Sequence, residues 1–249
     1  MIIGAQLYSV RSLLTDEKID STFAALSDMG YKCVQFSGAP IHEEVLARVS
    51  GKYSLPVVLT HSDRDKIFGD PGFVMAQHAV FNCRNIGNGW IPREWHETEE
   101  ALKKTCDMIN AAAKKYEEKG YKLFYHHHHF EFEKLGDKTK LDIIMESCPS
   151  LNLTLDVHWA MRGGVNPLDL ISRYAGRLEC VHLKDFAVEK EKPVFAPVGE
   201  GNLNWDEILP ALEKAGAKYA LVEQDDADSK PDPLGELAKS ARFLHSRGY

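Results

Sequence analysis

The sequence predicts an α/β protein in which all 249 residues form one (β/α)8 barrel. Strand-like apolar runs alternate with helix-like patterns from end to end, with no long linker, and that alternation makes a closed parallel barrel the natural arrangement. The length is close to the ~250 residues such a barrel typically needs. Four runs in the second half also end in side chains able to bind a metal, and barrels of this kind build their sites at the C-terminal ends of strands.

In chain order, Ile2–Ser9 is the first strand and Asp16–Met29 the first helix, closed by Gly30, which takes the left-handed conformation at no steric cost. Lys32–Ser37 follows, with Cys33 as a small core residue, then helix Ile41–Tyr53. Leu55–Thr60 leads to His61 and on to helix Gly72–Cys83. The fourth strand, Asn85–Gly89, is short and Gly-rich, the weakest of the eight signals. Helix Glu97–Lys119 is the clearest: Leu102, Cys106, Ile109, Ala113 and Tyr116 recur at three or four residues, the period of one buried face. Gly120 closes it before strand Lys122–His127 and helix Lys140–Cys148. Strand Leu151–Asp156, helix Pro167–Tyr174, strand Leu178–Leu183 and helix Trp205–Ala215 continue the alternation. After Gly216, strand Tyr219–Glu223 and helix Pro233–Arg247 complete it.

Composition narrows the function classes. Hydrophobic residues make up 44% and charged residues 27%, enough apolar material for a full core. A formal net charge of −7 argues against nonspecific nucleic-acid binding, which needs a basic footprint. The five cysteines lie far apart without a CxxC pair, as reduced thiols in a cytoplasmic protein would. The N-terminus has no basic segment followed by a long apolar one, and nothing approaches a membrane span. A cytoplasmic location and a small-molecule partner are therefore expected, without nucleic acid or membrane.

The candidate site residues cluster at strand ends. Glu223 closes the last strand as a ligand or base, or as a cap for the next segment. Asp156 ends Leu-Thr-Leu-Asp; a helix-capping role is weakened because the next helical pattern begins only near Pro167. His182 is followed at once by Lys184 and Asp185, a polar cluster that favours a site over a core histidine. In the run His126–His129, strand alternation points His126 and His128 to one side and His127 and His129 to the other. His61 is placed to line the same mouth. Glu200, in Val-Gly-Glu-Gly, is either a substrate contact or a solvent-facing charge. No GxGxxG follows the first strand, and neither a Walker loop nor a nucleophile elbow occurs.

Several of these segments together resemble the xylose isomerase-like TIM-barrel superfamily, in its sugar phosphate isomerase/epimerase branch. They are Gln6-Leu-Tyr-Ser-Val-Arg11, Tyr125-His-His-His-His-Phe-Glu-Phe132, Leu155-Asp-Val-His-Trp-Ala-Met-Arg-Gly-Gly164, Arg177-Leu-Glu-Cys-Val-His-Leu-Lys-Asp185, Val198-Gly-Glu-Gly201 and Val222-Glu-Gln-Asp225. The resemblance implies a divalent metal (manganese, cobalt or zinc, with magnesium or iron compatible) held at strands five to eight by Glu, Asp, His and Glu. Asp156, His182 and Glu223 match the last three. The first Glu has no clean match, since His126 stands at its position. Either His126 or His128 replaces it, or the chain bends so that Glu131 reaches in. Glu131 is preferred, because a third carboxylate better balances a hard cation.

The implied activity is isomerisation or epimerisation of a sugar or keto-sugar through an enediolate. Glu223 and Glu131 would be its acid–base residues, with Lys184 on an oxyanion. His61, His128, Trp159 and Glu200 would contact the sugar or polyol, with Phe36 and Trp90 as further apolar surface. The main alternative is a lyase similar to inosose dehydratase, removing water from a keto-cyclitol; a non-catalytic sugar-binding barrel is the third. A three-metal DNA-repair endonuclease fits poorly, because the His it needs three residues after the Asp is Trp159 here. Such barrels commonly pair as homodimers.

Overall fold

In a computed structural model that describes residues 1–249, the barrel wall has eight parallel strands. They are β1 (Ile2–Gln6), β2 (Cys33–Phe36), β3 (Val57–His61), β4 (Asn85–Asn88), β5 (Lys122–His126), β6 (Asn152–Thr154), β7 (Cys180–Leu183) and β8 (Tyr219–Val222). Each of β1 to β5 is hydrogen-bonded to the next, and β8 joins β1 to β7. The remaining joint, between β6 and β7, is laced more sparsely. His182 N donates to Leu155 O, Leu153 N to Arg177 O, and an isolated bridge pairs Asp156 with His182.

Ten helices surround the wall: α1 (Ile19–Asp28), α2 (Glu43–Tyr53), α3 (Arg64–Gly69), α4 (Pro71–Val80), α5 (Glu99–Glu118), α6 (Lys140–Ser147), α7 (Val157–Arg162), α8 (Pro167–Arg173), α9 (Trp205–Lys214) and α10 (Pro233–Ser246). The expected α5 face is the buried one. Its start is fixed by Thr98, whose side chain accepts from Ala101 N, and capping of this kind stabilises a helix by about 1 kcal/mol. Two short helices, α3 and α7, had no sequence signal, since six residues are too few to display a period. A hairpin, Asp185–Glu189 paired with Lys192–Ala196, also interrupts the expected alternation after β7.

Strand alternation sorts the barrel interior into layers. Cys33, Leu59, Phe124, Cys180 and Leu221 form an apolar plug. Two residues further along the same strands stand Gln35, His61, His126, His182 and Glu223. One inward step therefore separates the packed floor from a polar layer at the C-terminal mouth, which is where the site lies.

The short fourth strand is real, and its glycine has a steric reason. A Cβ on Gly87 would overlap the Thr60 carbonyl oxygen of β3 and press on His61. Gly87→Ala is expected to cost about 1–3 kcal/mol, the usual range for overpacking. A thermal melt showing no loss of Tm would contradict this close approach.

On the outer side of β3, His78 of α4 is fully buried between Thr60 Oγ1 (2.8 Å) and the Val74 carbonyl (2.9 Å). Val74 O can only accept, so Nδ1 carries the proton and Nε2 accepts from Thr60. Burial lowers the His78 pKa to about 4, against the opposing effect of the Val74 bond. The unfolded chain, with an ordinary histidine near 6.5, therefore binds more protons between pH 6.5 and 4. The neutral ring's contribution, about 3 kcal/mol at ~1.4 kcal/mol per pH unit, is complete above pH 6.5 and lost by pH 4. In denaturant titrations, His78→Gln should flatten the wild-type fall in stability over that window; equal slopes would refute the assignment.

Candidate active site

His126, Asp156, His182 and Glu223 each offer one ligand atom, and these atoms all lie within 4.8 Å of one another. All four side chains are buried. His126 ends β5 and His182 lies in β7, while Glu223 directly follows β8 and Asp156 stands just beyond β6, after Leu155. Asp156 has two tasks. Its Oδ1 caps α7 by accepting from Trp159 N at 3.0 Å, and its Oδ2 faces His126 Nε2 (3.3 Å), His182 Nδ1 (3.6 Å) and Lys184 Nζ (3.1 Å). The capping role thus exists together with the site role, on a helix that starts immediately after Asp156.

Each imidazole is aimed by its other nitrogen. His126 Nδ1 lies 3.1 Å from Gly89 O, and His182 Nε2 lies 2.7 Å from Gln35 Oε1. Both acceptors hold a proton on those nitrogens, so His126 Nε2 and His182 Nδ1, turned to the cluster, are the atoms that would bind a cation once deprotonated. His182 Nδ1 and Glu223 Oε2 are 2.9 Å apart, yet they are not aligned for a hydrogen bond and neither has any other. An N2O2 set of buried ligand atoms, with His182 Nδ1 lacking any hydrogen bond, suits a borderline divalent cation. The residues present therefore fit a metal.

Lys184 holds the cluster electrically. Its ammonium lies 2.9 Å from Glu223 Oε2, 3.1 Å from Asp156 Oδ2 and 2.9 Å from Asp225 Oδ1. Burial alone would raise the Asp156 and Glu223 pKa values, but the charge of Lys184 and the neighbouring histidines hold both well below the carboxylate range. Burial likewise pushes His182 down, and Glu223 and Asp156 more than offset it, so its pKa is raised. At His61 and His128 burial with nearby positive charge outweighs the pull of Glu223 and Asp156 respectively and keeps both well below an ordinary histidine. Asp225 is raised to about 6 by burial against the attraction of Lys184.

The cluster opens into a cleft of about 520 Å3, with Tyr8, His61, Arg64, Asn88, Trp90 and His128 among its lining residues. His61 Nε2, His128 Nδ1 and both polar atoms of Asn88 are buried without partners there, an array of donors and acceptors suited to a hydroxylated ligand. The strand ends at His126, so the alternation expected of the histidine run holds for His126–His128 and does not extend to His129. His126 and His128 face the cleft, while His127 is buried behind the wall and accepts from Asp156 N at 3.1 Å. His129 stands outside, stacked on Trp159.

Three expectations are corrected. Glu131 does not reach the cluster. After β5 the chain turns into a short 3-10 segment, Phe130–Phe132, that carries Glu131 behind the strand. There it accepts from Tyr125 Oη (2.7 Å) and His128 N (2.8 Å), and burial raises its pKa to about 7 in spite of both bonds. His126 occupies the first position instead. Glu200 is an exposed loop charge beside Lys239, outside the cleft. Phe36 is a buried core residue. Trp159 is half-buried at the edge, its ring 5.3 Å from Lys184 Nζ.

The glycine loop expected beside the mouth is positioned by Asp185. Its carboxylate accepts from Gly199 N, Gly201 N, Leu203 N and Trp205 Nε1 at 2.7–3.3 Å, as well as from Phe186 N. A Cβ on Gly201 would overlap Asp185 itself. Gln35, Asn88 and Arg64 had no role expected from the sequence, and Asp225 was noted only within its strand-end motif. Gln35 did carry a signal: a lone amide amid Cys-Val-Gln-Phe, two residues beyond the plug position Cys33.

With this geometry in hand, comparison with known proteins is informative. The family model described as xylose isomerase-like TIM barrel matches residues 23–247. Inosose dehydratase from Clostridium beijerinckii is 25% identical over 170 residues, 62% of this chain and 57% of that protein, so the match spans little more than half of the relative. A sugar phosphate isomerase/epimerase from Parabacteroides distasonis superposes with a TM-score of 0.81 at 21% identity, over 98% of this chain and 97% of that one. The probable 3-DHS dehydratase of Bacillus anthracis superposes at 0.76 with 13% identity, over 99% and 100%. No helix is long and apolar enough to cross a membrane.

Proposed function

The chain belongs to the xylose isomerase-like TIM-barrel family, and from that premise we propose that it is a metal-dependent lyase that dehydrates a polyhydroxylated ketone. A divalent cation held by His126, Asp156, His182 and Glu223 would supply Lewis acidity toward the substrate carbonyl. Glu223 then takes the proton from the carbon beside that carbonyl, and the positive charge of Lys184 nearby favours the oxygen on which negative charge develops. The C–O bond at the next carbon breaks as the C=C forms. The departing hydroxyl recovers a proton from Glu223, so one carboxylate serves both halves and water is released.

The observation that carries this reading is the single glutamate in the ligand set. Epimerisation returns a proton to the opposite face and calls for a second acid there. Glu131, the natural candidate, is turned behind β5 and bonded to Tyr125. Elimination on one face needs no such partner. The dehydratase relatives agree with that preference.

Epimerisation is the second reading, favoured by His61, whose Nε2 faces the cleft wall without a partner and offers another proton carrier. The reactions separate by mass and isotope. Metal-loaded protein would be incubated in D2O with a panel of polyhydroxylated ketones, beginning with inosose, and followed by NMR. Loss of water with an alkene signal supports the lyase; deuterium in a product of unchanged formula supports the epimerase. If every ketone is returned without deuterium, both readings fail.

A further inference from the structure

We propose that Arg64 forms an anion-binding end of the cleft and that the substrate is a polyhydroxylated keto acid, its carboxylate held by this guanidinium. The inference rests on the reading of the cleft as a polyhydroxylated-ketone site and narrows its substrate class.

Arg64 follows β3 at the mouth, on a different arc from the ligand set on β5 to β8. Its guanidinium carbon lies 4.8 Å from the centre of the Trp90 ring and 5.0 Å from that of Trp95, so two indoles fix its plane. Stacking of this kind orients arginine while leaving its in-plane N–H groups free. Nε is buried without a hydrogen-bond partner. The nearest carboxylate oxygen, Asp65 Oδ1, is 3.5 Å from Nε on a side chain that is 81% exposed. Other arginines of this chain are committed to the protein: Arg177 donates to the Met145, Cys148 and Leu151 carbonyls, and Arg11 to those of Tyr8 and Asp225. Arg64 is pre-oriented, lines the cleft and lacks an acceptor.

The chemistry of the rim selects the anion. One planar fork matches the two oxygens of a carboxylate. A phosphate, with three oxygens and up to two charges, would draw on further cations. The other cation lining the cleft, Lys184, is engaged by three carboxylates. Asp63 and Asp65 flank Arg64 in the lining and would oppose a dianion more than a monoanion.

Calorimetric titration with quinate, myo-inositol and myo-inositol 1-phosphate tests the proposal on the intact chain. Quinate is expected to bind at least about ten-fold more tightly than myo-inositol, the scale of a charge-assisted bidentate bond. Arg64→Met should bring quinate to within about two-fold of myo-inositol, and Arg64→Lys, which keeps the charge but loses the fork, should recover only part of the preference. Unchanged circular dichroism and melting would show that both variants fold. Equal binding of quinate and myo-inositol, a preference that survives Arg64→Met, or no binding of any probe would overturn the proposal. Tighter binding of the phosphate than of quinate would overturn the carboxylate assignment. None of these probes carries a ketone, so the outcome is independent of the proton-abstraction chemistry, which the D2O incubation tests by itself.

Discussion

Glu223→Gln should lower turnover in the proposed dehydration of a polyhydroxylated ketone by about 10²–10⁴-fold, the range for loss of a positioned acid–base group. The amide keeps the shape and one neutral oxygen but has no basic site at cleft pH. In the wild type, Lys184 and the histidines hold the Glu223 carboxyl ionised, the form a base requires. Two readouts separate the base role from simple loss of the cation. Metal content by mass spectrometry reports the ligand role. The rate of substrate deuterium exchange at saturating manganese, measured on variant protein that still retains metal, reports the base role. Retained exchange at the wild-type rate would remove Glu223 from the proton transfer and leave it as a ligand alone.

Lys184→Met should produce the largest stability change of any substitution in the site. The ammonium is almost fully buried and neutralises Asp156 and Glu223, which are themselves buried. Removing one member of such a network leaves uncompensated charge and costs about 3–5 kcal/mol, which for a domain of this size lowers Tm by roughly 6–20 °C. The metal response carries the distinctive sign. A divalent cation would take over the neutralising role, so manganese should raise the Tm of Lys184→Met by more than it raises that of the wild type. Equal increments, or a variant as stable as the wild type without metal, would show that Lys184 does not hold the cluster together.

Most of the architecture was legible because it depends on local pattern. Alternation along Leu59-Thr-His61, Phe124-Tyr-His126, Cys180-Val-His182 and Leu221-Val-Glu223 puts an apolar residue in the plug and a polar one at the mouth, and a period of two is visible in any strand. The misreading of Glu131 has the opposite origin. Its direction is set by a 3-10 turn and by Tyr125, a residue on the outer side of the same strand, and neither a charge count nor a period encodes such a turn. Preference for a third carboxylate was a sound argument about the cation and a poor guide to the backbone. Glu200 failed similarly: the loop that bears it is held by its amide groups on Asp185, which leaves its own side chain in solvent. Arg64 was missed because its importance lies in two tryptophans from the following loop, Trp90 and Trp95, more than twenty residues away in the chain.

The sparse joint between β6 and β7 gives the site a mechanical meaning. The residues paired in its isolated bridge, Asp156 and His182, are both members of the ligand cluster. A cation shared by them would span the seam as a cross-link does, at the place where the wall has fewest backbone bonds of its own. Occupancy would then latch the cylinder, and the empty protein would breathe there first. Amide hydrogen exchange should register this as slower exchange at Leu153 and His182 when manganese is added, with the β1–β2 ladder unaffected. The barrel would thus be completed by its own reagent: the ion proposed to prepare the carbonyl would also close the ring.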